Sequence, residues 1–438
     1  MKFVGFLSRT LRLLTLLSLG GLMFPADGQV SPQLFDMSMN GGVVANWQPQ
    51  PWPVDSFTSS RVMGGGAGWS EINTAQGVYD WTILDAWLAA SQQHNIQILY
   101  TFLFTPRWAS SNPNDRNCSS QPGTCDPPDD LNSDGSGTDQ HWKDYVTAIA
   151  QHSKQSSAGH IAAWEVWNEP HNTWEWNGTQ AQLVRMASDA RSIIKSIDPK
   201  AIMLSPTLGW SDKQARDWMA NYLAAGGGQY FDVVSLHGYV FNAGSYGPPE
   251  NMIDRLAKYR AVLKQYGQGS KPIWDTETSW ANTQKARLND RDLQAAFVAR
   301  IYLLHAANSI HRLFWFLWNG GLLGGLWLPD RHDHTKKGTL LKAGIAYQQI
   351  QDWLVGATMP TGCSANLTTW TCQLSRPVGY QGLVVWDTAQ TCHNGKCQTV
   401  PYSVDSKYLN YRTLYGGRIP ITNGTVQIGA LPIVAENQ

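Results

Sequence analysis

Short apolar runs alternate with longer stretches whose apolar positions recur every three or four residues, and this holds from about residue 30 to residue 355. The short runs, at 34–39, 59–63, 96–104, 161–168, 201–205, 233–239, 272–277 and 312–318, are the candidate strands. They are largely apolar on both faces, as parallel strands covered by helices must be. Between them, 81–94, 142–153, 180–197, 215–225, 252–266 and 290–308 carry helical periodicity. In 180–197 the residues Leu183, Val184, Ala187, Ala190, Ile194 and Ile197 form one stripe. Eight strands alternating with helices over this length predict an α/β chain folded as a (β/α)8 TIM barrel. One repeat departs from the plan, because Pro49, Pro51 and Pro53 disfavour a regular helix between the first two strands.

After Trp353 the periodicity stops, and short β-rich runs separated by Gly, Asn and Pro predict a small C-terminal β-sandwich. The first residues read differently again. Lys2, Arg9 and Arg12 precede an apolar stretch that ends at the small residues Ala26 and Gly28, the layout of a signal peptide. The expected organisation is therefore a signal peptide at 1–28, a barrel at 29–355 and an accessory sandwich at 356–438. Six cysteines in an exported chain fit disulfides, and closeness favours Cys118 with Cys125, Cys363 with Cys372 and Cys392 with Cys397. Residues 106–138, rich in Pro, Asn, Asp, Ser and Gly, form a long loop that the first of these would order near the barrel mouth.

Composition narrows the ligand. Lys+Arg and Asp+Glu are balanced at 33 each, so no basic surface argues for nucleic acid. Charged residues are 15% of the chain against the usual level of about 25%, while 21 tryptophans are an excess. A neutral, tryptophan-rich surface suits a neutral, ring-shaped ligand such as a carbohydrate, and many of the tryptophans are expected in the core. No cofactor motif is present. The cluster Asp330-Arg331-His332-Asp333-His334 reads as a polar loop rather than a metal site. Secretion with no stable membrane association after signal cleavage is expected, with a carbohydrate as the partner.

The chemistry concentrates in two segments. Trp164-Glu165-Val166-Trp167-Asn168-Glu169-Pro170 and Pro272-Ile273-Trp274-Asp275-Thr276-Glu277-Thr278 are each an apolar, aromatic run ending in an acid. Such a run delivers a carboxylate to the rim of a barrel. Two carboxyl groups facing one glycosidic bond are what sugar cleavage requires. Glu165 and Asp275 lie deeper on the same strands and read as buried, paired structural groups.

Trp167-Asn168-Glu169-Pro170 on a fourth strand and Thr276-Glu277 on a seventh resemble the clan A glycoside hydrolases. Arg61 on the second strand, Ser235-Leu236-His237-Gly238-Tyr239 on the sixth and Phe314-Trp315-Phe316-Leu317-Trp318 on the eighth extend the resemblance. Trp69-Ser70-Glu71-Ile72-Asn73, Gly77-Val78-Tyr79-Asp80-Trp81 and Thr105-Pro106-Arg107-Trp108-Ala109 are most similar to glycoside hydrolase family 39 and its relatives. The resemblance implies retaining double displacement, with Glu169 as general acid and base and Glu277 as nucleophile. It also implies that Arg61 and Tyr239 hold Glu277 ionised. Asn168 is expected at a sugar hydroxyl, His237 at either the acid or a sugar hydroxyl, and Trp108, Trp176, Trp280 and Trp318 as stacking platforms. A secreted, β-xylosidase-like glycosidase follows. An endo-β-glycanase with an open groove and a non-catalytic carbohydrate-binding protein on the same scaffold are the alternatives.

Overall fold

The computed structural model describes residues 28–438 apart from 40, 45–49, 210–212, 241–246, 281–286, 321–323, 331 and 333–337. The expected signal segment lies, but for Gly28, outside the described residues, as does most of the cluster at 330–334.

Eight parallel strands form the barrel: β1 (Phe35–Ser38), β2 (Ser59–Val62), β3 (Gln97–Thr101), β4 (Ile161–Glu165), β5 (Ile202–Leu204, resuming at Leu208–Gly209), β6 (Val234–His237), β7 (Ile273–Thr278) and β8 (Ile310–Trp315). β1 pairs with both β2 and β8. The break in β5 falls at Ser205-Pro206-Thr207, since proline cannot donate to a ladder. The ring still closes there, through the Leu204–Val233 bridge and the Ser205 N–H donating to the Val233 carbonyl at 3.0 Å.

Helices α1 (Thr82–His94), α2 (Gln140–Gln155), α3 (Gln180–Ile197), α4 (Lys213–Ala224), α5 (Met252–Gln265), α6 (Arg291–Ala307) and α7 (Lys342–Leu354) alternate with the strands from β2 onward. Between β1 and β2 the described residues hold only the short 3-10 turn Gly41–Val43, in line with the prolines there. Local chemistry sets the boundaries. Thr179 caps α3 in a reciprocal box with Gln182, and the Asp290 side chain accepts from the N–H groups of Asp292 and Leu293 at the start of α6. α6 is buried from Gln294 to His305 without a polar face, because it lies between the barrel and other packed elements.

Inside the barrel, Leu99, Ala163, Leu204, Val233, Trp274 and Phe314 form a separate apolar plug. Below it the buried Arg312 guanidinium binds Asp36 at 2.6 Å. The barrel is a filled core and not a pore. The polar groups of the site rest on this plug.

The C-terminal residues form antiparallel sheets. β9 (Cys363–Asn366), β10 (Thr369–Arg376), β11 (Tyr380–Asp387), β13 (Asn410–Thr413), β14 (Arg418–Pro420) and β16 (Ile433–Glu436) make one sheet. β12 (Thr399–Ser403) and β15 (Thr425–Gly429) pair across from it. Val385, Val426, Ile428 and Ile433 fill the space between the two, as in a sandwich. Three disulfides join Cys118 to Cys125, Cys363 to Cys372 and Cys392 to Cys397, the local pairing that closeness favoured. No helix among the described residues is long and apolar enough to cross a membrane.

Candidate active site

The site is built in layers on the apolar plug. The first polar layer is Thr101 on β3, Glu165 on β4, Ser235 on β6 and Thr276 on β7. Glu165 Oε2 accepts from Thr101 Oγ1 at 2.7 Å, and Glu165 Oε1 accepts from Ser235 Oγ, which lies 2.8 Å from Thr276 Oγ1. Arg61, reaching in from β2, closes the layer. Its Nη2 and Nε donate to Glu165 Oε2 at 2.7 and 2.9 Å. Burial works against ionisation of Glu165, but the Arg61 charge, followed by His237 and the two hydroxyls, holds its pKa below the ordinary carboxylate value. Glu165 is therefore a fixed counter-charge beneath the mouth.

The same guanidinium reaches the next layer. Nη1 donates to Glu277 Oε2 at 2.7 Å and Nη2 to Asn168 Oδ1 at 2.9 Å. Tyr239 Oη donates to the other Glu277 oxygen at 2.8 Å. Burial, and then the Glu277 charge, raise the Tyr239 pKa well above its usual value, so the phenol stays a donor. His237 stands between the two acids, with Nδ1 at 2.8 Å from Glu169 Oε1 and Nε2 at 3.7 Å from Glu277 Oε2. Glu169 Oε2 also accepts from Asn172 Nδ2 at 3.1 Å. Glu169 and Glu277 keep 26% and 12% of their side chains exposed, so a ligand entering the mouth meets both.

Electrostatics polarise this pair. Burial alone would raise the Glu169 pKa, but the hydrogen bond and charge of His237, with His171 and Arg61, hold it down to about 2. On His237 burial opposes the charge, yet the Glu277 and Glu169 carboxylates raise its pKa above the ordinary value. In the free site the shared proton therefore rests on the imidazole. Glu175 behaves in the opposite sense: burial, together with the Glu169 and Glu277 charges, pushes it up to about 7.

Backbone geometry aims these groups. β4 ends as a regular strand at Glu165, and Trp167 (φ 75°) and Glu169 (φ 39°) are left-handed, a costly conformation for side chains of that size. On β7 the residue pairs Leu236–Asp275 and His237–Glu277 show one extra residue, at Thr276. Without that bulge Glu277 would follow the alternation away from the barrel interior, whereas with it both Thr276 and Glu277 face inward. Asp275 instead points outward, accepting from the Gly238 N–H at 2.9 Å and meeting His305 Nε2 of α6 at 2.8 Å. A Cβ on Gly238 would lie 1.8 Å from Asp275 Oδ2, so only glycine fits between His237 and Tyr239.

The structure thus brings together six of the residues singled out from sequence: Arg61, Asn168, Glu169, His237, Tyr239 and Glu277. The tryptophans stand elsewhere. Trp176 is 2% exposed and packs edge-on against Trp167 at 4.8 Å. Trp280, 3% exposed, packs against Phe297 and Trp315, and Trp318, 1% exposed, stacks on Trp327. Neighbouring rings occupy the faces expected to be open, a correction to the reading of these three as platforms. Trp108 is half-buried, and its Nε1 donates to the Asn73 carbonyl at 2.9 Å beside a separate concavity. Trp174, in the loop after Glu169, is the exposed indole among the described residues, at 51%. Sequence reasoning passed over Thr101, Ser235, Thr276 and Asn172. Ser235 had a signal, since it shares a strand face with His237 and Tyr239.

Comparison with known proteins finds carbohydrate-cleaving relatives. A family model described as cellulase (glycosyl hydrolase family 5) matches residues 117–321. A β-xylosidase of Geobacillus stearothermophilus is 27% identical over 241 residues, which cover 51% of this chain and 45% of that protein. The chain thus spans about half the length of the curated relative it matches. Among solved structures, a monomeric β-xylosidase from Caulobacter crescentus CB15 superposes with a TM-score of 0.64 at 15% identity, over 93% of this chain and 97% of that one. A family 39 glycoside hydrolase from Bacteroides cellulosilyticus WH2 gives a TM-score of 0.62 at 17% identity, over 86% of this chain and 75% of that one. Taken with the barrel, these findings make the chain similar to clan A glycoside hydrolases, with the fold that family 39 structures share.

Proposed function

We propose that the protein is a secreted, retaining glycosidase with β-xylosidase-like activity, in which Glu277 is the nucleophile and Glu169 the general acid and base. The observation that carries this reading is the single Arg61–His237 network holding two partly exposed carboxylates at one barrel mouth. In retaining enzymes the two carboxyl groups stand about 5–5.5 Å apart, with no room for a water between the nucleophile and the anomeric carbon. Arg61 and Tyr239 each hold one oxygen of Glu277 and so orient the carboxylate for attack. As Glu277 bonds to the anomeric carbon, the one proton of the pair passes from His237 Nδ1 through Glu169 to the glycosidic oxygen, leaving the imidazole neutral and Glu169 a carboxylate. Glu277 then carries the sugar as an ester. Glu169, now a carboxylate, draws a proton from water, and the resulting attack releases the sugar with its original configuration.

The β-xylosidase names of the relatives support a xylose-like ring as the glycone. The same reading takes 1–28 as an export signal, 29–355 as the catalytic barrel and 356–438 as the accessory sandwich. Three disulfides support an oxidising destination. The test is proton NMR of the first product released from an aryl β-xyloside. Retention of the β-anomer is expected, and initial release of the α-anomer contradicts the mechanism.

A further inference from the structure

A second concavity, of about 330 Å³, opens on the barrel flank, and neither Glu169 nor Glu277 lines it. Three segments shape it: Asn73, Gln76 and Tyr79 from the connection after β2, Trp108 from the loop after β3, and one face of α2 from His141 to Gln151. Both connections leave the C-terminal ends of their strands, so the concavity lies toward the same end of the barrel as the catalytic mouth. Its volume falls in the range of small-molecule sites, about 300–1,000 Å³. Its aromatic parts are fixed in place. The Trp108 indole is tied to Asn73 and stands edge-on to the His141 ring at 5.1 Å, and Tyr79 stacks on Trp81 at 5.2 Å, which stacks in turn on His152 at 4.2 Å. Its polar parts are available. Gln76 and Gln151 are exposed, and among the described residues neither amide is hydrogen-bonded.

We propose that this concavity is a second carbohydrate-binding site that takes a neutral glycan, a claim that rests on the glycosidase reading only for the identity of its polymer. Half-buried indole and phenol faces pack against the apolar faces of pyranose rings. Free amides donate and accept, which matches hydroxyl groups. The exposed Asp144 carboxylate at the rim accepts from a hydroxyl and repels phosphates and uronates, so the ligand is uncharged. A chain held here keeps the catalytic mouth close to more of the same polymer.

Affinity electrophoresis of the full chain carrying Glu277→Gln, in native gels cast with xylan, mixed-linkage glucan or mannan, tests the proposal. At least one polymer retards it, and adding Tyr79→Ala with Gln151→Ala weakens that retention about tenfold. In the unsubstituted catalytic background the same two changes leave aryl-glycoside turnover within about twofold, because an aryl glycoside occupies only the mouth. Gln151→Arg, on the exposed face of α2, fills the concavity without touching the core and has the same effect. Retention unchanged by both variants overturns this site while leaving the glycosidase reading intact. Tyr79-dependent retention by a protein that cleaves no glycoside has the reverse meaning. Absence of retention by every polymer also overturns the site.

Discussion

Arg61 connects the two acidic layers of the site, so its replacement has two separable consequences. Arg61→Met leaves Glu165 buried beside a neutral group, and the cost of breaking such a pair is about 3–5 kcal/mol, read from urea unfolding. A loss below about 1 kcal/mol contradicts the pairing described here. At Glu169, replacement by Ala slows cleavage of poor leaving groups by about 10²–10⁴-fold but spares activated aryl glycosides, which need little protonation. His237 offers a test by pH. The Glu169–His237 pair holds one proton from about pH 2 up to the raised pKa of the imidazole. In His237→Asn that proton sits on a carboxyl relieved of its neighbouring cation and leaves in the carboxylate range. The alkaline limb of kcat/KM therefore moves to lower pH, and an unmoved limb shows that the pair does not carry the catalytic proton. At this scale much of the site was legible, because Asn168-Glu169-Pro170 and the Ser235–Tyr239 run each place a functional group by short-range geometry. The tryptophans were not. A strand pattern says which face an indole takes, whereas Trp280 and Trp318 are covered by rings from other parts of the chain.

Among the elements, β7 does the most to aim the chemistry, since the extra residue at Thr276 turns Glu277 into the barrel. Gly238→Ala probes its contact with β6. The added methyl meets Asp275, the two strands must separate, and His237 and Tyr239 move with them. The expected cost is about 1–3 kcal/mol of stability, as for overpacked cores, with kcat/KM falling further than stability accounts for. Wild-type activity in the variant contradicts the close approach. Such a bulge is invisible in sequence, because it is defined by pairing with β6 and β8 and not by residue type. The interruption of β5 at Pro206 had a local cause and was readable, yet the sequence pattern ended that strand at 205 and missed its return at Leu208–Gly209. The helices were the most legible elements. The span 180–197 agrees with α3 at both ends because a capping residue and a single stripe define it.

The sandwich is joined to the barrel by specific contacts and not merely tethered. Trp386 Nε1 donates to Glu250 Oε1 at 2.8 Å, and that carboxylate is also gripped by Arg300 of α6. Arg376 donates to the carbonyls of Asp352, Trp353 and Val355 at the end of α7. Trp386→Ala removes a fully buried indole from this joint and costs about 3–5 kcal/mol. Urea unfolding followed by fluorescence and by far-ultraviolet dichroism checks it, with coincident transitions expected for wild type. The change of texture after Trp353 revealed that a β-rich part follows the barrel. Its attachment was not readable, because Trp386, Glu250 and Arg300 lie far apart in sequence and meet only through the packing of whole elements.

The proposed mechanism turns on one carboxylate forming a bond to the sugar. Incubating the protein with a 2-deoxy-2-fluoro-β-xyloside that carries a good leaving group, followed by mass analysis of the proteolytic peptides, measures this directly. A fluoroxylosyl adduct on Glu277, blocked by Glu277→Ala and still formed by Glu169→Ala, is the predicted result. An adduct on any other residue, or steady turnover of the reagent to an inverted product without an adduct, contradicts it.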